Sequence, residues 1–161
     1  MRIALIVALS VVWGSAGAQS TNRTAAPPTL RAEVEALNAA MVSAFKVDPA
    51  SVAKFYTDNA RILGGNQVSQ SRAEVAAYWA QATMFADWKL EAIEVGGGAD
   101  APWQLGRSTL TGKSGRVMET YFIGILERDK DKNLKFRVDI FTQSTGTLRV
   151  ADALRMPPTG P

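Results

Sequence analysis

The chain has 161 residues, with no histidine and no cysteine among them. Any chemistry must therefore come from carboxylates, hydroxyls, phenols and basic side chains. Histidine is the usual general base near neutral pH and the commonest metal ligand. Without it, a Ser-His-Asp triad and a His-bound zinc or haem are excluded. Without cysteine there is no thiol nucleophile, thiolate metal site or c-type haem attachment, and an oxidising compartment is tolerated with no disulfide to add stability. No metal and no cofactor is expected. Gly96-Gly97-Gly98 reads as a hairpin loop, because the helix and Lys that a phosphate cradle needs do not follow it.

The remaining chemistry concentrates late in the chain. Lys135, Arg137, Asp139, Phe141 and Gln143 alternate with Leu134, Phe136, Val138 and Ile140, the two-residue period of a strand. Opposite charges two residues apart on one strand face lie about 7 Å apart at the backbone. A long Arg side chain spans that distance, so an Arg137–Asp139 pair is expected. From the residues alone, the simplest placement turns the charged face to solvent and the aliphatic face to the core. Tyr56 offers a phenol, either bonded to backbone in the core or reaching a ligand. Trp79 lies on the buried stripe of a helix, where core packing and pocket lining are compatible. Trp88 and Trp103 begin strands and read as rim or sheet-face aromatics. Asp58 reads as a turn residue. Glu119 and Tyr121, opposite in phase to Thr120 and Phe122, read as surface or dimer-face positions.

The elements that must position these groups are legible in periodicity. Leu30, Val34, Leu37, Met41 and Phe45 form one apolar stripe, predicting a helix over 29–46. Asp48-Pro49 is an N-cap followed by Pro at the first helical position. It opens a short second helix that buries Val52 and Phe55 and is closed by Tyr56. Ser71 and Glu74 form a capping box, starting a third helix with Val75, Tyr78, Trp79 and Ala82 on its apolar face. Between these helices Ala60 to Leu63 is a short strand, ended by Gly64-Gly65-Asn66. Strands are then expected over 88–95, 103–111, 117–128 and 134–143, separated by turns at 96–98, 112–115 and 129–133. Helices early and a mostly antiparallel meander late define an α+β fold.

The first residues carry an export pattern. Arg2 is followed by an apolar run from Ile3 to Val12 broken only by Ser10, then by Ala16-Gly17-Ala18. This is the pattern of a signal peptide over 1–18. Its apolar run is half the roughly twenty residues a membrane span needs. The mature chain is expected to begin at Gln19 and to be periplasmic or secreted, with no membrane attachment after cleavage. A flexible leader is expected over 19–29, the folded domain over 30–143 and a tail over 144–161. Eighteen basic and fifteen acidic residues leave a net charge of +3. They are interspersed, as in the alternating run from Glu127 to Lys132, so the basic stripe of a nucleic-acid partner is absent.

Leu37 to Asp48, a helix ending in an acidic turn, is followed by Phe55-Tyr56-Thr57-Asp58-Asn59-Ala60, Ser71 to Trp79 and Arg137-Val138-Asp139-Ile140-Phe141. In this order they resemble the nuclear transport factor 2-like superfamily, nearest its small SnoaL-like and ketosteroid-isomerase-like members. The resemblance implies a cone, with a bent sheet wrapped around helices and a pocket between them. It implies that Arg137, Asp139 and Phe141 line that pocket, with Tyr56 and Trp79 beside them. It also implies a homodimer through the sheet, with Phe136, Val138, Ile140, Ile123 and Ile125 on the shared face.

The isomerase type would need an Asp base, a Tyr on the first helix and a protonated Asp on a central strand. Matching segments place Gly64, Ala40 and Gly124 there, so that constellation is absent, and the His-Asp dehydratase set fails for want of histidine. The expected function is an exported binder of a small, partly apolar molecule. One alternative is an isomerase, dehydratase or cyclase acting on a carbonyl or polycyclic substrate, with Asp139 as base and Tyr56 or Arg137 as electrophilic partner. Another is a protein-interaction module using the outer sheet face.

Overall fold

A computed structural model describes residues 28–64 and 67–142. The expected signal peptide, the leader up to residue 27 and the tail lie outside the described residues, as does Gln143. Two α-helices, α1 (Pro28–Val47) and α2 (Arg72–Ala80), accompany six strands: β1 (Tyr56–Gly64), β2 (Gln67–Ser69), β3 (Phe85–Gly96), β4 (Trp103–Gly112), β5 (Val117–Arg128) and β6 (Leu134–Phe141). The strands form one sheet in the order β2-β1-β6-β5-β4-β3, with β1 and β6 parallel and every other pair antiparallel. This is the α+β architecture expected from the sequence.

Each helix forms for a local reason. The α1 stripe is buried along its whole length, from Leu30 through Met41 to Phe45. Burying each such side chain contributes about 1.5–3 kcal/mol. The segment Pro49–Phe55 is a 3-10 helix, a tighter form of the expected second helix; the Asp48 side chain accepts the N–H of Ala50 and caps it. At α2 the Ser71 hydroxyl accepts the Glu74 N–H at 3.2 Å, while the Glu74 carboxylate reaches back to the N–H of Gln70 at 2.8 Å. The capping box therefore closes one residue earlier than its reciprocal form. The leader's last two expected residues, Pro28 and Thr29, already belong to α1, and a second short 3-10 helix, Gln81–Met84, follows α2.

The helices cover one face of the sheet. α1 packs on β3 and the first 3-10 helix, and α2 packs on that 3-10 helix and β1. A reciprocal amide pair, Asn38 with Gln104 at 2.9 and 3.1 Å, fastens α1 to β4 in the core. Both residues are buried, so each amide satisfies the other where water does not reach. The opposite face is mixed: Arg107 pairs there with Glu91 and Glu119, while Ile123, Ile125 and Ile140 keep 41–47% of their surface exposed. Ile123 pairs across strands with Ile140, and Ile125 with Val138.

Two features correct the sequence reading. Tyr56 closes the 3-10 helix, its N–H on the carbonyl of Ala53, and also opens β1, which is nine residues long where four were expected; Asp58 lies inside that strand, paired with Arg72 at 2.6 Å rather than turning on itself. The second correction decides the site. Ile125 pairs with Val138 but Leu126 pairs with Phe136, leaving Arg137 as an extra residue. This β-bulge breaks the two-residue period. Leu134 and Phe136 face the helices before it, and Asp139 and Phe141 face them after it. Phe136 therefore belongs to the core, 1% exposed, and leaves the outer face that had been expected to share it.

Phe136 also fills the space left by Gly124. A β-carbon added at Gly124 would lie 2.5 Å from the Phe136 ring, which is flanked by Tyr56 at 5.3 Å and Phe122 at 6.2 Å. Those two rings restrict how far it can shift. Gly124→Ala should therefore destabilise the domain by about 1–3 kcal/mol through overpacking, read as a lower urea midpoint; an unchanged midpoint would mean that this corner is loosely packed.

Candidate functional site

The bulge turns Asp139 toward the helices, where it meets Tyr56 from β1. The Tyr56 hydroxyl donates to Asp139 Oδ2 at 2.8 Å. Tyr56 is 1% exposed and its ring stacks, tilted, on Phe136. The other carboxylate oxygen, Oδ1, is sealed from solvent, and among the described residues no donor reaches it. Asp139 as a whole residue is half-buried, so the sealed part is the carboxylate itself.

A cleft opens beside this pair. α1 contributes Met41, α2 contributes Tyr78 and Trp79, and the sheet contributes Trp88, Phe122 and Phe141 among others. Trp79 and Trp88 lie 4.6 Å apart between ring centres, and Tyr78 lies against both Trp79 and Phe141. The Trp88 indole N–H is satisfied by Ser108 Oγ at 2.8 Å. The Trp79 N–H is not: it is buried near Tyr56 without hydrogen-bonding geometry to any described group. The void amounts to about 50 Å³ by where the centre of a water molecule fits. One water needs roughly 10–15 Å³ on that scale. All unfilled space, mouth included, comes to about 510 Å³. That is room for a small organic molecule.

Electrostatics follow from burial. Loss of hydration pushes the Asp139 carboxyl up to about 6, opposed by the Tyr56 hydrogen bond, which favours the charged form. The Tyr56 phenol is raised well above its ordinary range, first by burial and then by the Asp139 charge and hydrogen bond, with the nearby Trp79 N–H opposing. Tyr78 is pushed up to about 12 by burial and then by Asp139. At neutral pH the cleft thus holds one carboxylate, mostly ionised, and two neutral phenols.

The residues expected here divide clearly. Tyr56, Trp79, Asp139 and Phe141 all line the cleft. Arg137 does not: the bulge leaves it on the outer side, bonded to the carbonyl of Asn59 and paired with Glu127 at 3.7 Å. The expected Arg137–Asp139 pair is replaced by Tyr56–Asp139. Met41, Tyr78, Trp88, Phe122 and Phe136 also line the cleft. Tyr78 and Trp88 carried a signal, since Tyr78 lies on the α2 stripe and Trp88 shares its phase with Leu90. Phe136 carried one too, since the aliphatic phase of the last strand put it toward the core, although the resemblance had set it on the outer face. On α1, Ala40 is exposed and Met41 faces the cleft. Gly124, expected where the isomerase type carries an acid, is the direct cross-strand partner of Asp139. Gly64 is the partner of Phe141, whose ring takes the space beside it. The acid therefore stands one strand over from the vacated position. Among the described residues no cluster of three or more carboxylates could hold a metal ion.

No protein-family model matches the chain, and no curated protein matches its sequence. Its fold, however, is shared with solved structures. A ketosteroid isomerase-like protein from Erwinia carotovora atroseptica is 21% identical, with a TM-score of 0.61 over 75% of this chain and all of that one. An NTF-2-like protein of unknown function from Shewanella oneidensis is 13% identical, with a TM-score of 0.62 over 70% of this chain and 98% of that one. ActVI-ORFA from Streptomyces coelicolor is 14% identical, with a TM-score of 0.57 over 72% and 98%. The chain has the nuclear transport factor 2-like fold that its sequence resembles.

The Tyr56–Asp139 bond has a measurable consequence. A hydrogen bond to a charged group contributes about 1.5–3 kcal/mol, so in Tyr56→Phe the Asp139 carboxyl should titrate about one pH unit or more above 6. Carboxyl-carbon NMR reads this directly; an unchanged midpoint would mean the bond does not form in solution.

Proposed function

We propose that this domain binds a small, largely apolar organic molecule in the cleft and fixes it through Asp139. The observation that carries the reading is the sealed, unpartnered Oδ1 of Asp139 beside an open void. Buried polar atoms in native proteins nearly always have a partner. A mostly apolar cup with a few convergent polar groups is the usual form of a small-molecule site. The unpartnered Trp79 N–H is a second polar handle, suited to an acceptor on the ligand.

One observation favours a second reading, proton-transfer catalysis of the isomerase, dehydratase or cyclase kind. A carboxyl held near 6 is tuned toward neutral pH, the range in which a general base works best. Asp139 would take the proton and Tyr56 would steady the charged form. Arg137, on the other face, has no part in it.

Export rests on the sequence of residues 1–18, and the homodimer on the exposed Ile123, Ile125 and Ile140, with half-buried Val138 beside them, because apolar side chains grouped on a surface mark contact sites. A single experiment reads all of these: native mass spectrometry of the protein purified from its own host. The expected species is a dimer of chains beginning at Gln19, carrying a small-molecule adduct that is absent from Asp139→Asn. Unchanged adduct in the variant would remove Asp139 from the binding site. Turnover of an identified adduct by wild type, abolished in Asp139→Asn, would favour catalysis over binding.

A further inference from the structure

The chemistry around Asp139 narrows the class of ligand. Its carboxylate is the one charged group lining the cleft, and among the described residues no Lys or Arg lines the cleft to balance it. Tyr56 supplies a single hydrogen bond to Oδ2, and Oδ1 is left bare. A buried charge without a partner is costly, and a counter-charge with hydrogen bonds is what relieves that cost. The surrounding wall is aromatic, with Tyr78, Trp79, Trp88 and Phe141 packed edge to face or tilted against one another. Aromatic rings attract cations through their quadrupoles, by about 0.5–1 kcal/mol each when exposed and about 2 or more when desolvated.

Resting on the reading of the cleft as a ligand site, we infer that its ligand is an organic cation. It is a protonated amine on a small apolar body, whose N–H meets Asp139 Oδ1 while its charge faces the aromatic wall. The alternatives fit less well. A neutral alcohol would satisfy Oδ1 but leave the carboxylate's charge unbalanced. An anion would meet that charge at short range with no basic residue lining the cleft to offset it. The void, with room for several waters, matches a one-ring amine.

Affinity should follow the ionisation of Asp139, because only the carboxylate balances the ligand's charge. No other group blurs this. Tyr56 from β1 and Tyr78 from α2 are held above the ordinary phenol range and stay neutral at the pH values used. The cleft residues of α1, β3, β4 and β5 are uncharged, and the chain has no histidine.

The test uses the full chain and three probes of one shape: benzylamine, benzyl alcohol and benzoate, titrated against the fluorescence of the cleft tryptophans. At pH 7.5 benzylamine is expected to bind at least tenfold more tightly than either of the others. Its affinity should fall about tenfold at pH 5, where a carboxyl near 6 is about one-tenth ionised, while that of benzyl alcohol stays within threefold. Asp139→Asn should produce the same loss for benzylamine alone at pH 7.5. The pH series on wild type stands whether or not the variant folds. Benzyl alcohol binding as tightly as benzylamine would overturn the cation inference and leave the cleft a ligand site. Binding of none of the three would remove both readings.

Discussion

The hydrogen bond from Tyr56 to Asp139 joins β1 and β6, which run parallel, and the site depends on it. It exists because β6 carries one extra residue at Arg137. Without that bulge the two-residue period would place Asp139 beside Arg137 on the outer face, where a charge is cheap and does nothing. With it, a carboxylate enters an aromatic cup. The strands on either side make room: Gly124 of β5 opposite Asp139 and Gly64 of β1 opposite Phe141 carry no side chains, and the rings of Phe136 and Phe141 take the space instead.

The arrangement costs stability. A carboxyl whose folded pKa is raised binds its proton more tightly in the native state than in the unfolded chain. Its contribution therefore favours folding while the proton stays on, and is lost as pH rises from the ordinary carboxylate range through about 6. Two pH units correspond to on the order of 3 kcal/mol, a sizeable share of the 5–15 kcal/mol by which domains are usually stable. The cost is offset by the apolar core of the domain, including Val34, Val52, Ile62 and Val75, all fully buried. Sites retained at such expense are more often functional than structural.

Much of this was legible in the sequence, and the failures have physical causes. Stripes such as Leu30 to Phe45 specify their helix because a 3.6-residue period survives any packing partner. The capping residues Asp48 and Ser71 act within a turn and need no tertiary context. The turn at Asp129 to Asn133 was equally local, with Asp129 Oδ1 accepting the N–H groups of Asp131 and Asn133. The bulge was not local. It depends on how β6 registers against β5 and β1 together, and a period-2 pattern carries no mark of an inserted residue. That one unreadable event turned Asp139 and Phe141 inward while Arg137 stayed outside, and it gave Asp139 a new partner. β2, three residues long, was missed because its strand character comes only from pairing with β1. Tyr56 and Asp139 were both legible as candidates; their contact across 83 positions was not.

The central claim is that Asp139 is an unbalanced charge held in an apolar site by Tyr56. The most direct measurement is the urea stability of wild type and Asp139→Asn from pH 4.5 to pH 8. Asn keeps the shape and can still accept from the Tyr56 hydroxyl. The account predicts that the two proteins agree within about 1 kcal/mol at pH 4.5, where Asp139 is protonated. It predicts that the variant becomes the more stable by about 1–3 kcal/mol as pH passes 6, following the raised carboxyl. A variant less stable than wild type throughout, by a margin that grows with pH, would mean that the ionised carboxylate is stabilised by a cationic partner, and would contradict the account.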